Sequence, residues 1–162
     1  TRLAAKALGL GMRVLGTNRP RQTPPGGLWR PLEELLAESD YVSLQLPLNS
    51  QTRHIINRQT LAAMRPSAYL INTSRGGMVD PQALAEALAA GRLAGAALDV
   101  QDPEPPDLNA PPWNDPRVIV TPHVAFYSSL ATADLRNRVA RQVGAFRRGE
   151  GRETAATPAV WG

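Results

Sequence analysis

The chain has 162 residues, 43% of them apolar and 20% charged, with a formal net charge of +4 and no cysteine. That length supports one core and one soluble globular domain, and the absence of cysteine excludes disulfides and thiolate metal sites, in keeping with a reducing cytoplasm. No stretch approaches the ~18 consecutive apolar residues of a membrane helix, and the opening TRLAAKALGLGM has no signal-peptide pattern.

Strands and helices then take turns along the chain. RLAAKALGL (2–10) is helix-forming and halts at Gly9 and Gly11; MRVLGT (12–17) is a short apolar strand; PLEELLAESD (31–40) is a helix of two turns; YVSLQLP (41–47) is a strand closed by Pro47. A helix around RQTLAAM (58–64), the strand AYLINT (68–73), the helix DPQALAEALAAG (80–91) and the strands AGAALDV (94–100) and RVIVT (117–121) follow, before a long helix within 128–148. Two proline-rich stretches, 20–31 and 103–116, read as surface loops. Alternation of this kind, with strands apolar throughout, predicts a doubly wound α/β fold whose parallel sheet is covered on both faces.

The positive charge is carried almost wholly by arginine, with Lys6 the single lysine. Arginines cluster only between Arg136 and Arg152, where Val139, Val143 and Phe146 recur at helical spacing. This is the wet face of an amphipathic helix, not a surface for nucleic acid, which calls for cations interleaved with aromatics. Neither a G-x-S-x-G nor a Walker motif occurs, and two histidines without close ligand spacing give no metal site; His54 reads as a surface or packing residue. Trp29, Trp113 and Trp161 fall in proline-rich or terminal segments; Trp113 reads as loop cover, with the border of a substrate pocket as the alternative.

In an open α/β sheet ligands bind beyond the carboxyl ends of the strands, so the residues after Thr17, Leu46, Asn72 and Val100 come first. In LINTSRGGMVD, Asp80 caps a helix whose first turn takes Pro81 and whose end takes Gly91, while Gly76 and Gly77 permit a sharp turn and a close approach. Arg75 therefore projects at the ligand edge. Asp99 stands at the next strand end with Glu104 five residues on, and His123 lies just past a third strand end. A guanidinium, a carboxylate and an imidazole form an anion clamp, an orienting group and a proton donor, enough to reduce a carbonyl beside a carboxylate.

The segments PLNSQTRHIIN, LINTSRGGMVD, GAALDVQDPEP and TPHVAFYS, in this order and spacing, resemble the D-isomer-specific 2-hydroxyacid dehydrogenases from Thr1 to about Glu150. The resemblance implies a Rossmann-like domain over 1–123, with 124–162 a C-terminal helix and tail returning toward a substrate domain. It implies that Arg75 holds the substrate carboxylate, Glu104 orients His123 and favours its imidazolium, and His123 protonates the carbonyl oxygen of a small 2-oxo acid such as glyoxylate or hydroxypyruvate. Asp99 would accept a hydrogen bond from the nicotinamide carboxamide, with Pro47 and Thr73 also lining the cofactor. The family's first strand and glycine-rich loop are expected to precede Thr1, so these residues alone should bind cofactor poorly and turn over little. Where an NAD enzyme usually carries an acidic residue, this sequence has Asn18, followed by Arg19 and Arg21; loss of the carboxylate and the added cations favour NADP over NAD. A homodimer is the family default. Two alternatives stand beside the enzyme: a dinucleotide-sensing, corepressor-like interaction module of the same superfamily, and an inactive remnant.

Overall fold

The computed structural model describes residues 2–18 and 21–150. Arg19 and Trp161 lie outside the described residues. The chain divides into two compact units, Thr1–His123 and Val124–Gly162.

In the first unit, α1 (Arg2–Gly9) leads to β1 (Leu15–Gly16), β2 (Leu28–Trp29), α2 (Leu32–Glu38), β3 (Tyr41–Leu44), α3 (Arg58–Ala63), β4 (Tyr69–Asn72), a single 3₁₀ turn (Gly76–Met78), α4 (Pro81–Ala89), β5 (Gly95–Leu98) and β6 (Val118–Val120). Strands β3 to β6 form one parallel sheet in sequence order, while β1 and β2 pair in parallel separately. Parallel neighbours need crossovers, and α3 and α4 supply the first two. The third, from β5 to β6, is the proline-rich loop.

The register decides where the strand ends fall. Leu44 pairs with Asn72 and Asn72 with Leu98, while Leu98 pairs with Val120. All four strands therefore stop at one level, and their following loops leave from a common edge. Beneath that edge Val42, Leu44, Leu70, Ala96 and Leu98 pack with Leu36 of α2, Leu61 of α3 and Leu84 and Leu88 of α4 in one apolar cluster. Burying a leucine of this kind contributes about 1.5–3 kcal/mol.

Helix ends are set by local chemistry. The Asn57 side chain accepts from the backbone N–H groups of Gln59 and Thr60, and the Thr60 hydroxyl accepts from the Asn57 N–H, a reciprocal box at the start of α3. Asp80 caps α4 through Gln82 and Ala83, with Pro81 in the first turn, and Gly91 (φ +64°) ends it.

The structure corrects two expectations. Strands β3 and β4 alternate between buried and more open positions instead of being buried throughout, and on the more open face Tyr41 and Tyr69 stack at 5.7 Å and remain 55% and 44% exposed. The sequence looks apolar throughout because tyrosine, isoleucine and alanine fill that open face. Second, the 20–31 loop contains β2, where Leu28 N–H donates to Val14 O at 2.9 Å and Arg30 N–H to Gly16 O at 3.0 Å. A two-residue strand has no periodicity to read.

In the second unit α5 (Ser129–Arg147) is capped by the Ser128 hydroxyl, which accepts from the Ala131 N–H at 3.0 Å. Leu135, Val139, Val143 and Phe146 are exposed on it. Among the described residues no helix is long and apolar enough to cross a membrane.

Replacing Asn57 by Ala removes the side-chain arm of the box, the bonds from the Gln59 and Thr60 N–H groups, while the backbone N–H at 57 can still reach the Thr60 hydroxyl; urea unfolding of the chain is expected to show a loss of about 0.5–2 kcal/mol.

Candidate active site

Three polar side chains are buried among the described residues, Asn72, Asp99 and Gln101, and all belong to the carboxyl ends of β4 and β5 or the residues just beyond. A buried polar group costs free energy unless it is bonded, so each marks something held in place. Asn72 Nδ2 donates to the Arg75 carbonyl at 2.9 Å and its Oδ1 accepts from Ser74 N–H at 3.0 Å, while the Ser74 hydroxyl donates to Leu44 O at 2.7 Å. The turn carrying Arg75 is thereby bonded to the ends of β3 and β4. Arg75 itself is exposed, with extended backbone, and its Nη1 donates to Ser74 O at 2.6 Å.

The next residue shows why glycine follows. A Cβ on Gly76 would lie 1.9 Å from the Gln101 carbonyl oxygen, which no side chain tolerates. The Arg75 turn thus lies directly against the loop leaving β5. At Gly77 the same position would be 3.1 Å from Arg53 Nη1 and 3.2 Å from Asp102 Oδ2, and Arg53 bridges to Asp102 at 3.3 Å.

Asp99 is 4% exposed and accepts from the Thr121 hydroxyl at 2.6 Å, joining the ends of β5 and β6. Two residues on, His123 N–H donates to Thr121 O at 3.0 Å, closing a three-residue turn over Pro122, and His123 itself is left-handed at φ +53°. Few residues accept that conformation, histidine being among the better ones. The turn brings His123 Nδ1 to 2.8 Å from Glu104 Oε1, both side chains 41% exposed. The carboxylate thus engages the Nδ1 side of the ring.

Of the expected cofactor residues, Pro47 and Thr73 are exposed just beyond β3 and β4, beside Asp99 beyond β5. Asn18 closes its own loop, accepting from Gln22 N–H at 2.8 Å and donating to Gln22 O at 2.9 Å, and the Arg21 guanidinium stands 5.6 Å from the centre of the Trp29 ring. His54 is half-buried at φ +48°, its N–H donating to Gly77 O at 2.9 Å, a packing role; Trp113 packs on the core. Away from the site, the hydrogen bond from Arg58 holds Glu86 below the usual carboxylate range, and that from Arg117 does the same for Asp115.

Comparison with known proteins gives this edge its setting. Residues 1–125 match the family described as D-isomer specific 2-hydroxyacid dehydrogenase, NAD binding domain. The chain belongs to this family. It is 41% identical over 152 residues to a glyoxylate reductase of Pyrococcus furiosus, covering 91% of this chain and 45% of the relative. Among solved structures it is similar to the NAD-complexed D-isomer specific 2-hydroxyacid dehydrogenase of Lactobacillus delbrueckii ssp. bulgaricus, with a TM-score of 0.83 at 30% identity, covering 92% of this chain and 50% of that one. It is also similar to an acyclic imino acid reductase (Bsp5) in complex with NADPH and D-Arg, with a TM-score of 0.85 at 30% identity, covering 91% and 47%. The chain spans about half the length of these relatives.

For this dehydrogenase domain, sequence reasoning named the exposed Arg75 and Glu104 and the buried Asp99, and missed the other groups that hold the strand ends. Asn72 was readable as the polar residue ending the apolar strand AYLIN; Gln101 and Thr121 carried no comparable signal.

Gly76→Ala forces the Gln101 backbone away, and chemical unfolding is expected to show a loss of about 1–3 kcal/mol. Gly9→Ala, where a Cβ meets nothing within 4 Å, is the control and should leave stability unchanged or raise it by up to about 1 kcal/mol.

Proposed function

We propose that the protein reduces a small 2-oxo acid, such as glyoxylate or hydroxypyruvate, to the D-2-hydroxy acid with a nicotinamide cofactor. The observation that carries this reading is the 2.8 Å contact between His123 Nδ1 and Glu104 Oε1, on a loop whose Gln101 backbone lies against Gly76 of the turn that carries Arg75. Because the relatives are about twice as long as the chain, the reaction is proposed for the protein expressed from its complete reading frame.

The carboxyl edge of β3, β4 and β5 fits the nicotinamide end of the cofactor by its donor and acceptor chemistry. Asp99, already held by Thr121, offers a carboxylate to amide N–H groups, and Pro47 and Thr73 line the neighbouring strand ends. A bound reduced nicotinamide supplies hydride to the carbonyl carbon. Arg75 holds the substrate carboxylate with its planar fork, charged at any working pH. His123 gives its proton to the carbonyl oxygen as the C=O π bond is replaced by C–H and O–H bonds, and the ring is left neutral. Glu104 keeps the ring's Nδ1 side occupied and orients it for the transfer. In the oxidative direction His123 takes the proton from the hydroxyl.

For the cofactor we infer a preference for NADPH. Asn18 brings no carboxylate to repel a 2′-phosphate, and Arg21, held over Trp29, adds a cation after β1; Arg19, outside the described residues, adds its charge from sequence. A homodimer joined through this domain rests on the family resemblance. The relatives compared above carry dehydrogenase and reductase names, which lend the corepressor-like alternative no support.

Steady-state kinetics on the complete protein test both parts. His123→Ala is expected to lower kcat by roughly 10²–10⁴-fold, and Arg75→Ala to lower kcat/KM for glyoxylate by roughly 10- to 150-fold. Near-wild-type rates in both variants sink the assigned roles, and a lower KM for NADH than for NADPH overturns the cofactor preference.

A further inference from the structure

We infer that Gln101 is a positioning residue for the proton-transfer pair, fixing His123 through the Thr121 carbonyl while its own backbone sets the loop that carries Glu104. This goes beyond the roles proposed above and rests on them only for its consequence in turnover.

Gln101 is 5% exposed. Its Nε2 donates to Leu98 O at 3.0 Å and to Thr121 O at 3.1 Å. Those carbonyls belong to adjacent strands at the point where their ladder ends, since Leu98 pairs with Val120 and Thr121 N–H gives one last bond to Leu98 O at 3.1 Å. The amide thus adds a rung beyond the sheet. Thr121 O is also the acceptor for His123 N–H at 3.0 Å, the bond that closes the turn over Pro122.

The consequence lies in the backbone of His123. At φ +53° it occupies a conformation that costs a non-glycine residue free energy and persists only where the surroundings over-determine it. Two of the restraints on it are the turn to Thr121 O and the ring's bond to Glu104 Oε1 at 2.8 Å. Gln101 acts on both. Its side chain anchors the carbonyl of the turn, and its backbone, wedged against Gly76, begins the short segment that ends at Glu104. Without the amide, Leu98 O and Thr121 O each keep a backbone donor, so no buried acceptor is orphaned and the fold is expected to survive. What is lost is the restraint on the angle at which the ring leaves the sheet. Proton transfer depends on such angles, because a misplacement on the order of 1 Å costs up to ~10²-fold in rate.

Gln101→Met keeps the length of the side chain and removes the donor; Gln101→Glu keeps the shape and replaces the donor by an acceptor. In the complete protein, with its cofactor and glyoxylate, both are expected to lower kcat by roughly 10- to 100-fold while KM for glyoxylate and for the cofactor stay within about twofold. In the 162-residue chain, the ring ¹⁵N shifts of neutral His123 are expected to show Nδ1–H in the wild type and a mixture of tautomers in the variants, with His54 unchanged as internal reference. Wild-type kcat together with an unchanged His123 tautomer in either folded variant overturns the inference. If the wild-type enzyme shows no turnover of 2-oxo acids, the proposed reaction fails, and the tautomer measurement still decides the role of Gln101.

Discussion

The backbone of Gln101 lies so close to Gly76 that no side chain fits between them, and the arrangement of the site follows from that contact. One side carries the turn with Arg75; the other starts the loop that reaches Glu104. Strand pairing alone brings β4 and β5 only to their last paired residues, Asn72 and Leu98. Beyond them the chain would be free to diverge, and the glycine lets it stay together for one more turn. A single methyl group at this position would force the Arg75 turn away from the segment that leads to Glu104.

Below the contact, the polar groups that hold the edge are buried, and several residues beyond it are exposed. Asn72, Asp99 and Gln101 bond to backbone or to Thr121, each spanning two segments: Asn72 holds the Arg75 turn to β4, Asp99 joins β5 to β6, and Gln101 joins Leu98 to Thr121. Satisfied polar groups of this kind specify one arrangement, because any shift leaves a desolvated donor or acceptor unpaired. Arg75, Glu104 and Pro47, by contrast, are exposed. The division matches what a site on an α/β sheet needs: rigid supports under groups that stay available.

This division also explains what could be read from sequence. Arg75, Glu104 and His123 stood out because charged or titratable residues directly after apolar strands have no packing reason to be there, and the parallel alternation of strands and helices gave the sheet that aligns them. The supports were harder to see. Gln101 sits between Val100 and Asp102 with nothing local to show that its amide reaches Thr121, twenty residues on; long-range bonds leave no trace in spacing. The open face of the sheet escaped for another reason, since tyrosine and isoleucine look buried in a strand pattern whether or not anything covers them. Strand β2 was hidden by its proline-rich surroundings, where two glycines allow a brief return to β1.

The exposure of the Glu104–His123 pair bears on what it contributes. With both side chains 41% open to water, their attraction is screened, and pairs this exposed add little to stability. The pair is therefore not there to hold the fold, which the apolar cluster and the buried amides already do. Its value is directional. A carboxylate on Nδ1 holds the ring from one side, and a left-handed backbone at His123 sets the direction in which the ring leaves the sheet. Neither effect depends on a low dielectric, so this orientation of the ring is already present in this unit, while the stronger electrostatics of a water-free site would require something to close over the strand ends.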